Sequence, residues 1–365
     1  MTSPRQRFLD YVRRVPGARP VVSPFLPHAG VVTGALRRLG LPVDGDAIDR
    51  EIRLSRALDY EPMFMCGCTE LIFPWQVDEE RTDEDWEVAV LPVAGEEWVR
   101  RVARSKGLYG DESGFPVRDA EDHRRLAAVC RSAGERMATM RAYFRAFRQR
   151  IGDDGVVVIA HPHVTWLAGQ ISQPNMIYHQ LDLPELFTAS MDAILEASYV
   201  VFAAAMAEGI DFMSESSYGL EMVSPAQFAA QDVPYTRLLA DWTHARGGLF
   251  WYHNCGRTRP LIAAGHFDRL GADVIETIAP WPEGDNDLRE SRLCLAPGIC
   301  SKGNLSLALL RDGSIDQVIT ATRSMVRAVD GFAHIHSTAD AVFDDTPADN
   351  FIAFVRTARE EAERT

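Results

Sequence analysis

The sequence predicts an α/β protein, a single-domain (β/α)8 TIM-type barrel spanning residues 1–365. Three observations carry that reading. Eight short β-branched or apolar runs recur along the chain, and amphipathic stretches of helical length separate most of them. No Gly-x-Gly-x-x-Gly turn points instead to an open dinucleotide-binding sheet.

The runs, in order, are RPVVSPF (19–25), EPMFMCG (61–67), GVVVIAH (155–161), IDFMSES (210–216), GGLFWYH (247–253), ADVIETI (272–278), GICSKGN (298–304) and GFAHIHS (331–337). The segment 77–120 interrupts the alternation. Within it, WEVAVLPVAGEEWVRRVAR (86–104) reads as two strands around a glycine turn, a β-hairpin excursion between the second and third barrel strands. The stretch 184–209 repeats apolar residues at three-to-four spacing and ends in Gly209, the residue type that closes a helix. The stretch 224–247 opens with Ser224 and Pro225, an N-cap and a first-turn proline.

Charge narrows the partners. A formal net charge of -14 argues against nucleic acid and anionic membranes, whose affinity comes from Lys and Arg. No apolar run reaches the roughly 18 residues of a bilayer span, and the N-terminus lacks the apolar core of a signal peptide. Six cysteines in so long a chain read as reduced thiols rather than a disulfide framework. The expectation is a cytoplasmic protein with a small-molecule substrate, its oligomeric state left open.

Barrel enzymes carry their chemistry where strands end. Those positions hold His28, Cys66, Cys68, His161, His163, Glu215, His253, Cys255, Glu276, Cys300, Lys302, His334, His336 and Asp340. His253 and Cys255 stand two apart in HNCG (253–256), so one strand presents both side chains to one side. Imidazole nitrogen and thiolate sulfur suit zinc, which in catalytic sites takes about three protein ligands and keeps a position open. Taken alone, a His-x-Cys is more often a polar strand terminus with the cysteine as a small buried apolar residue. A third ligand would decide it, and Cys66, Cys68, Cys300, Glu215, Glu276 and Asp340 all compete. His161 and His163, in AHPHVTW, read as positioners of substrate or loop rather than ligands.

The HNCG stretch is joined by AEGIDFMSESSYGLEMVSPAQFAAQDVPY (207–235), GADVIETIAPWPEGDNDLRE (271–290), CSKGNLSLALLRDGSIDQV (300–318) and DDTPADNFIAFVRTARE (344–360). In order and spacing these resemble the superfamily of uroporphyrinogen decarboxylase and the cobalamin-dependent methyltransferases. The resemblance runs from about residue 5 to 362 and is strongest after 200. It implies a (β/α)8 barrel with its site at the C-terminal face. The superfamily's decarboxylases work without metal, gripping an acidic porphyrinogen with an Asp and basic residues. Its methyltransferases bind zinc through a His-x-Cys on the fifth strand and a later Cys, and the zinc activates a thiol to accept a methyl group.

This chain departs from both patterns. The decarboxylase's arginine motif after the first strand is absent; His28 lies there instead, and Arg37 and Arg38 fall in the next helix. At the late ligand position, six residues before the Thr of DDTPADN, stands Asp340 where methyltransferases tend to have Cys and decarboxylases His. The sequence therefore leads to a zinc-dependent enzyme that transfers a methyl or alkyl group to a metal-activated thiol. His253 and Cys255 would bind the zinc, and Glu215, Glu276 or Asp340 would complete or orient the site. Glu215, Asp340, His161 and His163 are the catalytic candidates, and His28, Tyr218, Arg257 and His336 the substrate-binding ones. A corrinoid would have to come on a separate partner protein, since no Asp-x-His-x-x-Gly module is present. The rival readings are a metal-independent decarboxylase or lyase on a small acid, using Asp340, His336, His28 and Arg257, and a non-catalytic barrel that binds a corrinoid or metabolite.

Overall fold

The computed structural model describes residues 2–103, 114–160, 167, 169–218, 220 and 223–364, the side chains of Gln173 and Tyr218 excepted. His161 and His163 lie outside the described residues. Among the described residues ten strands run in chain order: β1 Met63–Gly67, β2 Gln76–Val77, β3 Trp86–Val93, β4 Glu96–Ala103, β5 Val156–Ala160, β6 Phe212–Tyr218, β7 Leu249–Cys255, β8 Val274–Glu276, β9 Cys300–Leu305 and β10 His334–Thr338. The chain divides into two compact units, one of Met1–Cys66, Phe147–Val158 and Ile210–Thr365, the other of Gly67–Ala146 and Ile159–Gly209.

The first unit is built on a curled parallel α/β sheet of the TIM-barrel kind, with strand order β1-β5-β6-β7-β8-β9-β10. Its apolar interior takes alternate residues of successive strands: Met63, Val156, Val158, Phe212, Trp251, Val274, Cys300 and Ile335. The helix Pro4–Val12, capped by Ser3, adds Phe8, Leu9 and Val12 to that core. Phe212 and Trp251 meet edge-to-face at 5.3 Å, with Phe8 6.0 Å from Phe212, contacts worth about 0.5–1.5 kcal/mol per pair beyond burial. The Tyr11 hydroxyl donates to the His334 carbonyl and accepts from its amide, both at 3.1 Å, so this helix seals the end where β10 begins.

Eight barrel strands were expected; among the described residues seven form the sheet. The first run, 19–25, makes a single parallel bridge, Val22 to His336. Pro20 and Pro24 explain the shortfall, because a proline has no amide to give a ladder. The segment still spans the sheet's edges: the Ser23 amide donates to the His336 carbonyl at 2.9 Å, and the Glu61 amide to the Val22 carbonyl at 2.9 Å.

In the second unit β2, β3 and β4 form an antiparallel sheet. Ala94 and Gly95, both at positive φ, make the two-residue turn between β3 and β4, the backbone form that matches strand twist. The helices Ala120–Arg131 and Pro184–Ala207 pack on each other. Between them His123 of the first helix meets Ser190 Oγ of the second at 2.8 Å, and its other ring nitrogen meets His179 Nδ1 at 3.0 Å. Contrary to the sequence reading, Pro184–Ala207 is long and apolar enough to cross a membrane by length and composition; half of its apolar window is buried within the protein. Gly209 follows this helix at φ +78 and stops it, as its residue type requires.

Candidate metal centre

Strand β7 carries His253 and Cys255 on the same face as Trp251, that is, toward the interior of the curled sheet. His253 Nε2 lies 3.2 Å from Cys255 Sγ. Asp340, just beyond the end of β10, brings a carboxylate oxygen to the same place: ligand atoms of His253, Cys255 and Asp340 all lie within 4.8 Å of one another. Each of the three is half-buried, so the cluster is open on one side. Asp340 Oδ1 accepts from the Ala341 amide at 2.7 Å, and its own carbonyl accepts from Thr338 Oγ1 at 2.8 Å, which fixes the turn.

The donor set can be tested against zinc. Bonds of about 2.1 Å to nitrogen and 2.3 Å to sulfur in a tetrahedron set neighbouring ligand atoms about 3.5 Å apart. The His253–Cys255 separation is close to that, and Asp340 is near enough to close on an ion by a small side-chain rotation. One nitrogen, one sulfur and one oxygen with an open side is a catalytic rather than a structural arrangement.

The rest of the site is built behind His253. Register places Glu276 of β8 beside His253, and Lys302 of β9 beside Glu276. Glu276 Oε1 lies 3.1 Å from His253 Nδ1, and Glu276 Oε2 lies 3.1 Å from Lys302 Nζ. Both Glu276 and Lys302 are almost wholly buried. The Lys302 ammonium sits off the line of a good hydrogen bond to Glu276, so charge and proximity hold that pair. The Phe25 ring takes up the space above, 5.4 Å from the His253 ring and 4.4 Å from Lys302 Nζ.

Burial and charge compete at each group. Burial pushes the Glu276 carboxyl up, but Lys302 and the hydrogen bond with His253 outweigh it and hold the carboxyl below its ordinary value. Burial pulls the His253 imidazole down, but Cys255 and Glu276 carry it well above the ordinary histidine value. Burial lowers Lys302 against the pull of Glu276 and Asp340. Such a site draws positive charge to His253 Nε2, and a metal ion could take the place of that proton.

The remaining expected residues do not join the cluster. Glu215 of β6 is paired in register with Tyr252, so it faces away from His253 and Cys255 on the other side of the sheet. Cys66 is one residue out of phase with Met63 and Met65 and likewise faces outward. Cys68, in the second unit, caps the short helix Thr69–Ile72 and lies 3.5 Å from the Ala160 carbonyl. Cys300 aligns with Val274, one layer deeper than Glu276, within the apolar core. Glu276 is engaged by His253 and Lys302 and stands outside the three-residue cluster. His336 is out of phase with Ile335 and is buried on the outer face of β10. His28 is exposed as the N-cap of the helix Ala29–Arg38, and Arg257 is exposed after β7. The Tyr218 backbone pairs with Cys255. Sequence reasoning missed Phe25 and the part played by Lys302. A lone lysine inside an apolar strand, two positions after Cys300, was the available signal, since a buried ammonium needs an acid beside it.

Residues 114–361 match the uroporphyrinogen decarboxylase (URO-D) family. The chain belongs to that family. Among solved structures it is similar to a methyltransferase from Methanosarcina mazei, with a TM-score of 0.65, 15% identity and coverage of 99% of both chains. At that identity the likeness shows a shared fold. A B12-independent methionine synthase from Shewanella sp. W3-18-1, in complex with selenomethionine, is more distant: TM-score 0.48, 11% identity, 95% of this chain and 98% of that one covered. No curated protein matched.

Proposed function

We propose that this member of the uroporphyrinogen decarboxylase family is a zinc-dependent transferase that passes a methyl or alkyl group to a thiol. The convergence of His253, Cys255 and Asp340 within 4.8 Å on the open side of the site is the observation behind this reading. When bound, Zn²⁺ would supply Lewis acidity, lowering the pKa of a substrate thiol so that a thiolate is available at neutral pH.

The chain's own residues prepare that event. Glu276 accepts the Nδ1 proton of His253 and so turns the Nε2 lone pair toward Cys255 and Asp340. Lys302 balances the Glu276 charge in a place that water does not reach. Asp340 has one carboxylate oxygen tied to the Ala341 amide, which leaves the other for the cluster. In the transfer the thiol proton leaves to solvent and the sulfur pair forms the new S–C bond. The donor's leaving group departs with the pair of the bond that breaks. A corrinoid donor would arrive on a separate protein.

The family match favours a second reading, a metal-free decarboxylase of a small carboxylic acid. It loses one of its four proposed groups, because His336 faces away from the interior. The deciding experiment incubates zinc-loaded protein with methylcobalamin and a panel of thiols, reading thioether by mass spectrometry. Thioether that forms with wild type and disappears in Cys255→Ser is the expected result. Chelator-insensitive release of CO2 from small acids, with no thioether, would replace the transferase by the lyase.

A further inference from the structure

Beside the metal-site candidates the first unit holds a cavity of about 430 Å³. That is within the range of about 300–1,000 Å³ usual for small-molecule sites. Its wall is mainly apolar, with Val32, Ile48, Met63, Phe64, Met65 and Phe147 as the larger contributors. Two further lining residues set its location. Leu26 follows Phe25, whose ring packs on His253, and Ala341 follows Asp340. The wall thus begins one residue, about 3.8 Å along the chain, from the cluster.

The polar part of the wall is small. Arg50 donates from Nε to the Asp46 carbonyl and from Nη1 to Thr33 Oγ1, each at 3.2 Å. Glu51 accepts the Tyr60 hydroxyl at 2.5 Å, and burial lifts its carboxyl to a pKa of about 7. His28 stands at the exposed rim. Methionine side chains, flexible and polarizable, adapt to apolar groups of varied shape.

Resting on the metal–thiol reading above, we propose that this cavity holds the uncharged alkyl or aryl body of the acceptor thiol while its sulfur reaches His253, Cys255 and Asp340. The substrate class is then a thiol with an apolar body.

Calorimetric titration of zinc-loaded protein with three probes tests this: 2-phenylethanethiol, 3-mercaptopropionate and 2-phenylethanol. The aryl thiol is expected to bind at least about tenfold more tightly than the anionic thiol, with the alcohol weaker but measurable. Val32→Trp fills the cavity from its buried side, and Ala47→Trp from its exposed rim, where folding is least at risk. Either is expected to weaken both aryl probes by about tenfold while zinc content stays unchanged. Equal binding of the two thiols, unaffected by either tryptophan, would overturn the cavity assignment and leave the metal reading standing. Equal binding of aryl thiol and aryl alcohol to a protein that takes up no zinc would overturn the metal–thiol reading and leave only an apolar pocket.

Discussion

His253 is held from both ends of its ring, by Glu276 at Nδ1 and toward Cys255 at Nε2. The Glu276 carboxylate therefore sets both the tautomer and the orientation of the imidazole. Glu276→Ala is expected to weaken zinc binding 10- to 100-fold, read by competition with a chromophoric chelator, with little loss of secondary structure. Glu51 carries a separate expectation. Its folded pKa, about 7, lies above its ordinary value of about 4.5, so the fold prefers the protonated form. That preference stabilises fully below pH ~4.5 and is lost as pH rises through ~7. Glu51→Gln should remove the loss, gaining up to about 3 kcal/mol over wild type in urea titrations at pH 8 relative to pH 4.5. An unchanged difference between the two pH values would contradict this. The His253–Cys255 pair was legible in the sequence because strand alternation alone puts both on one side. Asp340 was legible as one of several strand-end candidates, and only the resemblance singled out its position, since nothing local ties a residue 85 positions away to Cys255. Glu51 and Phe25 were not legible, because their importance comes from what the folded chain packs over them.

Elements decide which candidates can meet, through a period of two. Glu215 and His336 sit on the right strands, yet each is one residue out of phase with the interior. Reading phase requires knowing each strand's register to the residue, and sequence patterns of short buried strands are nearly continuous in apolar character. The prolines in the first run were visible but their effect was not weighed: they reduce a strand to one bridge. The gap is secured by a buried ionic network instead. Glu61 accepts from Arg7 Nε at 2.8 Å, from Arg359 Nη2 at 2.5 Å and from the Val22 amide at 3.1 Å. Arg359, on the helix Ala348–Ala362, also donates to the Pro20 and Asp59 carbonyls. Glu61→Ala leaves a buried guanidinium without its acid and is expected to cost about 3–5 kcal/mol in denaturant unfolding. A loss below about 1 kcal/mol would mean that the network is not what holds this segment.

At the scale of the whole molecule, the alternation of strands and helices was enough to give a parallel α/β barrel-type sheet, and the motif series after residue 200 was enough to point to the family. The division into two compact units left no mark, because the chain passes between them without a Pro/Gly/Ser linker. All three members of the proposed metal site, its supports and the adjoining cavity belong to the first unit. The proposed function stands or falls with metal binding by this unit at His253, Cys255 and Asp340. The most direct measurement is the metal content of the purified protein by mass spectrometry, beside the His253→Ala/Cys255→Ala double variant. About one zinc per chain is expected in wild type, lost in a variant that keeps its fold. No zinc in either protein after chelator-free purification and attempted loading, or equal zinc in both, would contradict it.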